Sequence, residues 1–161
     1  LILLAKNKKG LESLFKLSTE SFINSGLDKK SIPEQDILNY AEHLVCIIPA
    51  SSMNLRNLAL KKEESLIVNL YTKYQKAFAK NLFVGVSNVS ELGYDSASAL
   101  ACNLAKKNNI PTVAINDVLF LEKEDHLAHQ AKVAINNSTL LKDEINNPNV
   151  SNEQYLSLIH I

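Results

Sequence analysis

The sequence predicts an α/β fold built on a largely parallel sheet, and three observations carry that prediction. Four short runs, Leu1–Ala5, Leu44–Pro49, Leu82–Ser87 and Thr112–Ile115, are apolar at successive rather than alternating positions, the pattern of strands buried on both faces. The segments between them repeat apolar residues at helical spacing. Strands that alternate with helices assemble into a mainly parallel sheet, open or closed into a barrel.

Each element has its own signal. After the first run, Leu11, Leu14, Phe15, Ser18 and Phe22 form a helical stripe. Ser31-Ile32-Pro33-Glu34 matches a capping box and predicts the next helix start. The second run is followed by a stripe of Leu66, Leu70, Tyr71, Tyr74 and Phe78, the third by Ala97, Leu100, Ala101, Leu104 and Ala105, with Asp95 placed to cap it. After the fourth run, Glu122, Glu124 and Asp125 crowd a first helical turn, where the macrodipole favours negative charge. Ser151-Asn152-Glu153-Gln154 is a second capping box.

No repeat, low-complexity tract or Gly/Ser linker interrupts the chain, so residues 1–161 read as one domain. It starts without methionine inside an apolar run and closes on Leu158-Ile159-His160-Ile161. Both ends are therefore expected to be cut, leaving the domain incomplete.

Composition narrows the function. Apolar residues make up 46% and charged residues 21%, an ordinary globular balance. Lys+Arg and Asp+Glu are 17 each, so no net field draws the chain to nucleic acid or anionic membrane. Arg56 is the only arginine, and guanine readout and phosphate clamps rely on arginine, so direct DNA recognition is not expected. Cys46 and Cys102 form no CxxC pair and read as buried reduced thiols of a cytosolic protein. No apolar stretch reaches the roughly 18–20 residues of a membrane span. Asn88-Val89-Ser90 and similar triplets are chance matches in an asparagine-rich chain.

Ile110–Phe120 concentrates the chemical interest. A buried strand there runs into Asn116-Asp117, at the carboxyl end where parallel α/β proteins place functional groups. Asp117 could be a metal ligand or general base, and equally a structural Asx-turn residue. His126 and His129 share a helix face with Asp125 in reach, but the spacing is not HExxH and a plain helix face fits better. His43 and His160 have no companions. Ser13-Leu14-Phe15-Lys16 fits S-x-x-K but falls mid-helix, without the partner motifs. With four glycines and no G-x-G-x-x-G or Walker A string, phosphate-cradling loops are absent.

One family resembles this chain in the order of its motifs. Ala101-Cys102-Asn103-Leu104-Ala105, Ile110-Pro111-Thr112-Val113-Ala114-Ile115-Asn116-Asp117-Val118, Glu124-Asp125-His126-Leu127-Ala128-His129 and Glu153-Gln154-Tyr155-Leu156 follow one another. Together they resemble the end of the PHP (polymerase and histidinol phosphatase) domain of bacterial DNA polymerase III alpha subunits. More loosely, Leu1–Gly10 is similar to that family's Leu-x-Leu-Leu-Ala-x-Asn-x-x-Gly strand and turn, and Glu42–Ile48 to a later strand. The resemblance implies the later part of a distorted seven-stranded β/α barrel, truncated at both ends. For the parent protein it implies a cytoplasmic DNA-directed DNA polymerase using Mg2+. Implied partners are the proofreading 3′–5′ exonuclease, other replicase subunits, and DNA through the parent chain, but no membrane.

The resemblance also exposes departures. Active members build a metal cluster from His, Asp, Glu and Cys at the strand carboxyl ends, and their last motif reads Asn-Asp-Val-His. Here Leu119 stands at the histidine position, Ala50 at the cysteine and Gly85 at a glutamate, while Asp117 remains as a vestigial metal candidate. Leucine and alanine have no lone pair to give a metal. The segment is therefore expected to hold no cofactor and no catalytic residue, and to serve as a scaffold for the exonuclease. The alternative is a metal-dependent phosphoesterase or proofreading nuclease using Asp117 with ligands from elsewhere.

Overall fold

The computed structural model describes residues 1–24, 31–87, 94–146 and 150–156. Asn88-Val89-Ser90, His160 with the rest of Leu158–Ile161, and the side chains of Asp95 and Ala97 lie outside that description. Two compact units make up the chain, one of Leu1–Val86 with Ser96–Ala114, the other of Ser87–Asp95 with Ile115–Ile161.

The first unit holds a four-stranded sheet in the order β1 (Ile2–Ala5), β2 (Leu44–Pro49), β3 (Leu82–Val86), β4 (Thr112–Ala114). β2, β3 and β4 run parallel, as expected, but β1 is antiparallel to β2, pairing Ile2 with Ile47 and Ala5 with Leu44. The sheet is thus mixed. α1 (Lys8–Asn24) and α2 (Glu34–Asn39) stand between β1 and β2, and the chain re-enters the sheet running the opposite way.

The expected burial on both faces is not met: on the central strands Leu44, Cys46, Ile48, Leu82 and Val84 of one face are sealed from solvent, while Val45, Ile47 and Phe83 of the other are half-buried. Leu4 of β1 is 50% exposed, and Thr112 and Ala114 of β4 are exposed, as suits edge strands with a neighbour on one side only.

α1 presents a face different from the expected one. Leu17 and Ser21 are buried with Gly10, while Leu11, Phe15 and Phe22 are exposed. Two stripes run along this helix, and a backbone contact selects between them. Asn7 caps the helix through Oδ1, which accepts the Gly10 N–H at 3.0 Å. A Cβ on Gly10 would stand 2.3 Å from the His43 carbonyl oxygen. Only glycine allows that approach, and it turns the Gly10/Leu17 side inward.

α3 (Met53–Leu60) and α4 (Glu64–Phe78) lie between β2 and β3, and α5 (Tyr94–Lys107) precedes β4. From α4, Ile67, Tyr71, Tyr74 and Phe78 enter the core, and Leu66 is 48% exposed. Ala101, Leu104 and Ala105 of α5 are buried as expected. α2 does not use Ser31 as its cap. Pro33 occupies the N-cap, and its carbonyl accepts the Asp36 N–H at 3.1 Å. Glu34 instead pairs with Lys73 of α4.

The second unit contains α6 (His126–Asn137) and α7 (Leu141–Asn146). Among the described residues its only buried large apolar side chain is that of Phe120, joined by the small Ala134. Buried polar groups accompany them. Gln130, Glu144 and Ser151 are each less than a tenth exposed, and the Glu144 carboxylate accepts the Thr139 hydroxyl at 3.0 Å.

Candidate functional site

The Asn116-Asp117 segment and the Glu153-Gln154-Tyr155-Leu156 motif, 36 residues apart between Asp117 and Glu153 in the chain, lie side by side. The Leu119 N–H donates to the Gln154 carbonyl at 2.8 Å, and the Leu156 N–H to the Phe120 carbonyl at 3.0 Å. They form a parallel bridge between Phe120 and Tyr155. Side chains tighten it: Asn116 Nδ2 donates to the Tyr155 carbonyl at 3.2 Å, and Gln154 Nε2 to the Asp117 carbonyl at 3.3 Å.

The second capping box forms, but it closes a turn rather than opening a helix. The Ser151 N–H donates to Gln154 Oε1 at 3.0 Å, and the Glu153 N–H to Ser151 Oγ at 3.2 Å. With its amides satisfied by that turn, Gln154 is free to extend into the bridge with Phe120. Lys123 Nζ adds a 2.8 Å ion pair to Glu153.

Asp117 is exposed, and its carbonyl is engaged by Gln154. Among the described residues no three His, Cys, Asp or Glu side chains converge to hold a metal ion. A metal role for Asp117 would need ligands from outside them.

His126 and His129 are brought together at one ring. Each imidazole packs against Phe120 with its centroid 5.7 Å away. His126 Nε2 lies 2.9 Å from the Val150 carbonyl, an acceptor only, so this nitrogen carries the proton. Asp125 faces the backbone: its Oδ2 accepts the Glu122 N–H at 3.1 Å, completing a capping box on a 3-10 turn at Lys123–Asp125. The acidic first turn expected here is that 3-10 turn, and α6 follows it. Burial, then Lys132 and His126, hold the His129 imidazole below its ordinary pKa.

In the first unit, the two positions likened to lost ligands touch through their backbones. The Ala50 N–H donates to the Gly85 carbonyl at 2.8 Å. Ala50 is wholly buried, so its methyl packs into the core at the end of β2. Cys46 is also sealed, and burial pushes its thiol up to about 12. Cys102 is only half-buried, less enclosed than its apolar stripe suggested. His43 contributes mainly its backbone carbonyl, which accepts the Lys6 N–H at 3.0 Å.

A mixed four-stranded α/β sheet, joined in sequence to a small hydrogen-bonded unit of two helices, is the class of protein this geometry defines. Residues 1–88 match the model of the PHP domain. The chain belongs to the PHP domain family. It is 30% identical over 157 residues to the DNA polymerase III subunit alpha of Pseudomonas aeruginosa, covering 97% of this chain and 13% of that protein. The Vibrio cholerae protein of the same name is 26% identical over 157 residues, covering 97% and 14%, and that of Pasteurella multocida 27% over 155 residues, covering 96% and 13%. The chain thus spans about an eighth of the length of these relatives. The likeness extends from the strand and turn at Leu1–Gly10 to the bridge at Leu156. No helix among the described residues is long and apolar enough to cross a membrane.

Proposed function

We propose that this chain is the PHP region of a replicative DNA-directed DNA polymerase, the alpha subunit of DNA polymerase III, and acts there as a non-catalytic scaffold docking the proofreading exonuclease. The observation that carries the reading is the chemistry of three positions. Leu119, Ala50 and Gly85 stand where the resemblance places metal ligands, and none has a side chain that can bind a cation. Ala50 is moreover buried in the core, out of reach of a solvent-facing ion. Polymerase chemistry would reside elsewhere in the parent chain, where closely spaced carboxylates hold Mg2+. This sequence contains no Asp-x-Asp pair.

The test uses the natural full-length polypeptide. It is expected to extend a primed template with Mg2+, to bind the exonuclease subunit, and to release no nucleotide from a primer end when that subunit is absent. Two or more tightly held zinc or manganese ions lost on substituting Asp117→Ala would remove the scaffold reading. They would favour a phosphoesterase or proofreading nuclease instead.

A further inference from the structure

Charge is balanced over the whole chain but not along it. Residues 65–87 and 96–116 together contain five lysines, no arginine and no Asp or Glu. Folding brings these two segments to one place. Gln75 Nε2 of α4 donates to the carbonyl of Asn108, just past α5, at 3.3 Å. Next to that bond an open-sided cleft of about 330 Å3 is walled by Ala79 and Lys80 after α4 and by Asn109, Ile110 and Pro111 before β4. Leu82, the first residue of β3, also lines it, so the cleft sits at the amino ends of β3 and β4. Ala50 and Gly85, the positions likened to lost metal ligands, lie toward the carboxyl ends of β2 and β3.

Lys76, Lys80, Lys106 and Lys107 are all exposed. Lys76 follows Gln75 and Lys107 precedes Asn108, so both adjoin the bonded pair. Lys73 is held by Glu34, and among the described residues no carboxylate pairs with the other four lysines. Lysines in a last helical turn offset the macrodipole, and Lys76, Lys106 and Lys107 stand in such turns. Two helix ends supply about one negative charge between them, which leaves a surplus of about three positive charges here. A surplus of that size draws anions.

The residue type says which anion. A clamp on one phosphate uses the planar fork of arginine, whereas lysines on flexible stems meet successive phosphates as separate point charges. Such contacts hold a nucleic-acid backbone without reading its bases. We propose that Lys76, Lys80, Lys106 and Lys107, around the cleft at the amino ends of β3 and β4, form a contact site for the phosphate backbone of a nucleic-acid strand. The proposal does not rest on the scaffold reading, since it uses none of positions 50, 85, 117 and 119.

Lysine acetylation of the natural full-length polypeptide is followed by mass spectrometry, with and without mixed-sequence single-stranded DNA at low salt. DNA is expected to slow labelling of the four lysines at least about threefold and to leave Lys61 and Lys62, which precede α4, unchanged. Lys80→Gln with Lys107→Gln should lower the slope of log affinity against log salt by about 0.7 per lysine. Lys61→Gln with Lys62→Gln should leave that slope as it was. No protection of the four lysines, or equal slopes in the two double variants, would overturn the proposal. So would equal protection by polyglutamate, which marks a surface for an acidic protein, or by inorganic phosphate alone, which marks a free-anion subsite. Primer extension is measured in parallel. If it proceeds while the four lysines stay unprotected, the contact fails and the polymerase reading stands. If they are protected and no extension occurs, the polymerase reading falls and the contact stands.

Discussion

The two units of this chain are held together by different forces. In the first, one contiguous cluster of buried apolar residues, running from Leu17 to Ile110, surrounds β2 and β3. In the second, Phe120 and Ala134 are the buried apolar residues described, and the structure relies on bonds such as those of Gln154, Asn116 and Ser151. Apolar burial contributes about 25 cal/mol per Å2 whatever its direction. A net hydrogen bond contributes about 0.5–1.5 kcal/mol and depends on geometry. The first unit should therefore resist small displacements, and the second should respond to single polar substitutions.

Truncating the core would strain this comparison most. Phe78→Ala removes a ring 1% exposed and is expected to cost about 3–5 kcal/mol. Hydrogen exchange in the full-length protein should then accelerate across β2 and β3 and leave residues 118–122 at their former rate. Acceleration of both regions together would show that the two units unfold as one.

Gly10→Ala comes next, because its methyl would meet the His43 carbonyl oxygen. Displacing packed backbone of this kind is expected to cost about 1–3 kcal/mol, read as a lowered urea midpoint. An unchanged midpoint would mean that the contact between α1 and His43 does not select the buried helix face.

In the second unit, Gln154→Ala deletes the bonds to Ser151 and Asp117, a loss of about 1–2 kcal/mol for one part-buried and one exposed contact. Exchange should quicken at Leu119 and Leu156, with β2 and β3 unaffected. Lys123→Ala should do far less. Both partners of its ion pair are roughly half exposed, and such pairs contribute about 0–1 kcal/mol.

A smaller effect follows from His129. Its folded pKa is depressed, so below about 6.5 the unfolded chain takes up the proton more readily than the folded one. Stability of this unit is complete at neutral pH and declines as pH falls through that value. His129→Gln should flatten the acid side of the profile; an unaltered slope would place the dependence elsewhere. The thiols supply a last contrast, since Cys102 should react with iodoacetamide in the native protein and Cys46 should not.

Much of this was legible from the chain alone. Successive apolar residues located all four strands, although one face of β2 and β3 is only half-buried and β1 and β4 are exposed edges. Edge and centre could not be told apart, since Leu1–Ala5 and Leu44–Pro49 read alike until neighbours are assigned. The Ser151 box was recognised as a reciprocal pair of bonds, yet those bonds close a turn as well as they open a helix. The Asn7 and Gly10 signals were present within a recognised motif, but their meaning lies in the approach to His43.

What the sequence determined by itself, then, is local and chemical: which segments are apolar enough to be strands, and which positions lack a metal-binding side-chain atom. These follow from the covalent nature of each side chain and its near neighbours. Tertiary structure alone decided the antiparallel entry of β1, the inward face of α1, the packing of His126 and His129 against Phe120, and the bridge joining residues 119–120 to 154–156. Each of those is a contact between distant segments, set by which backbone can approach which without a clash or an unpaired amide.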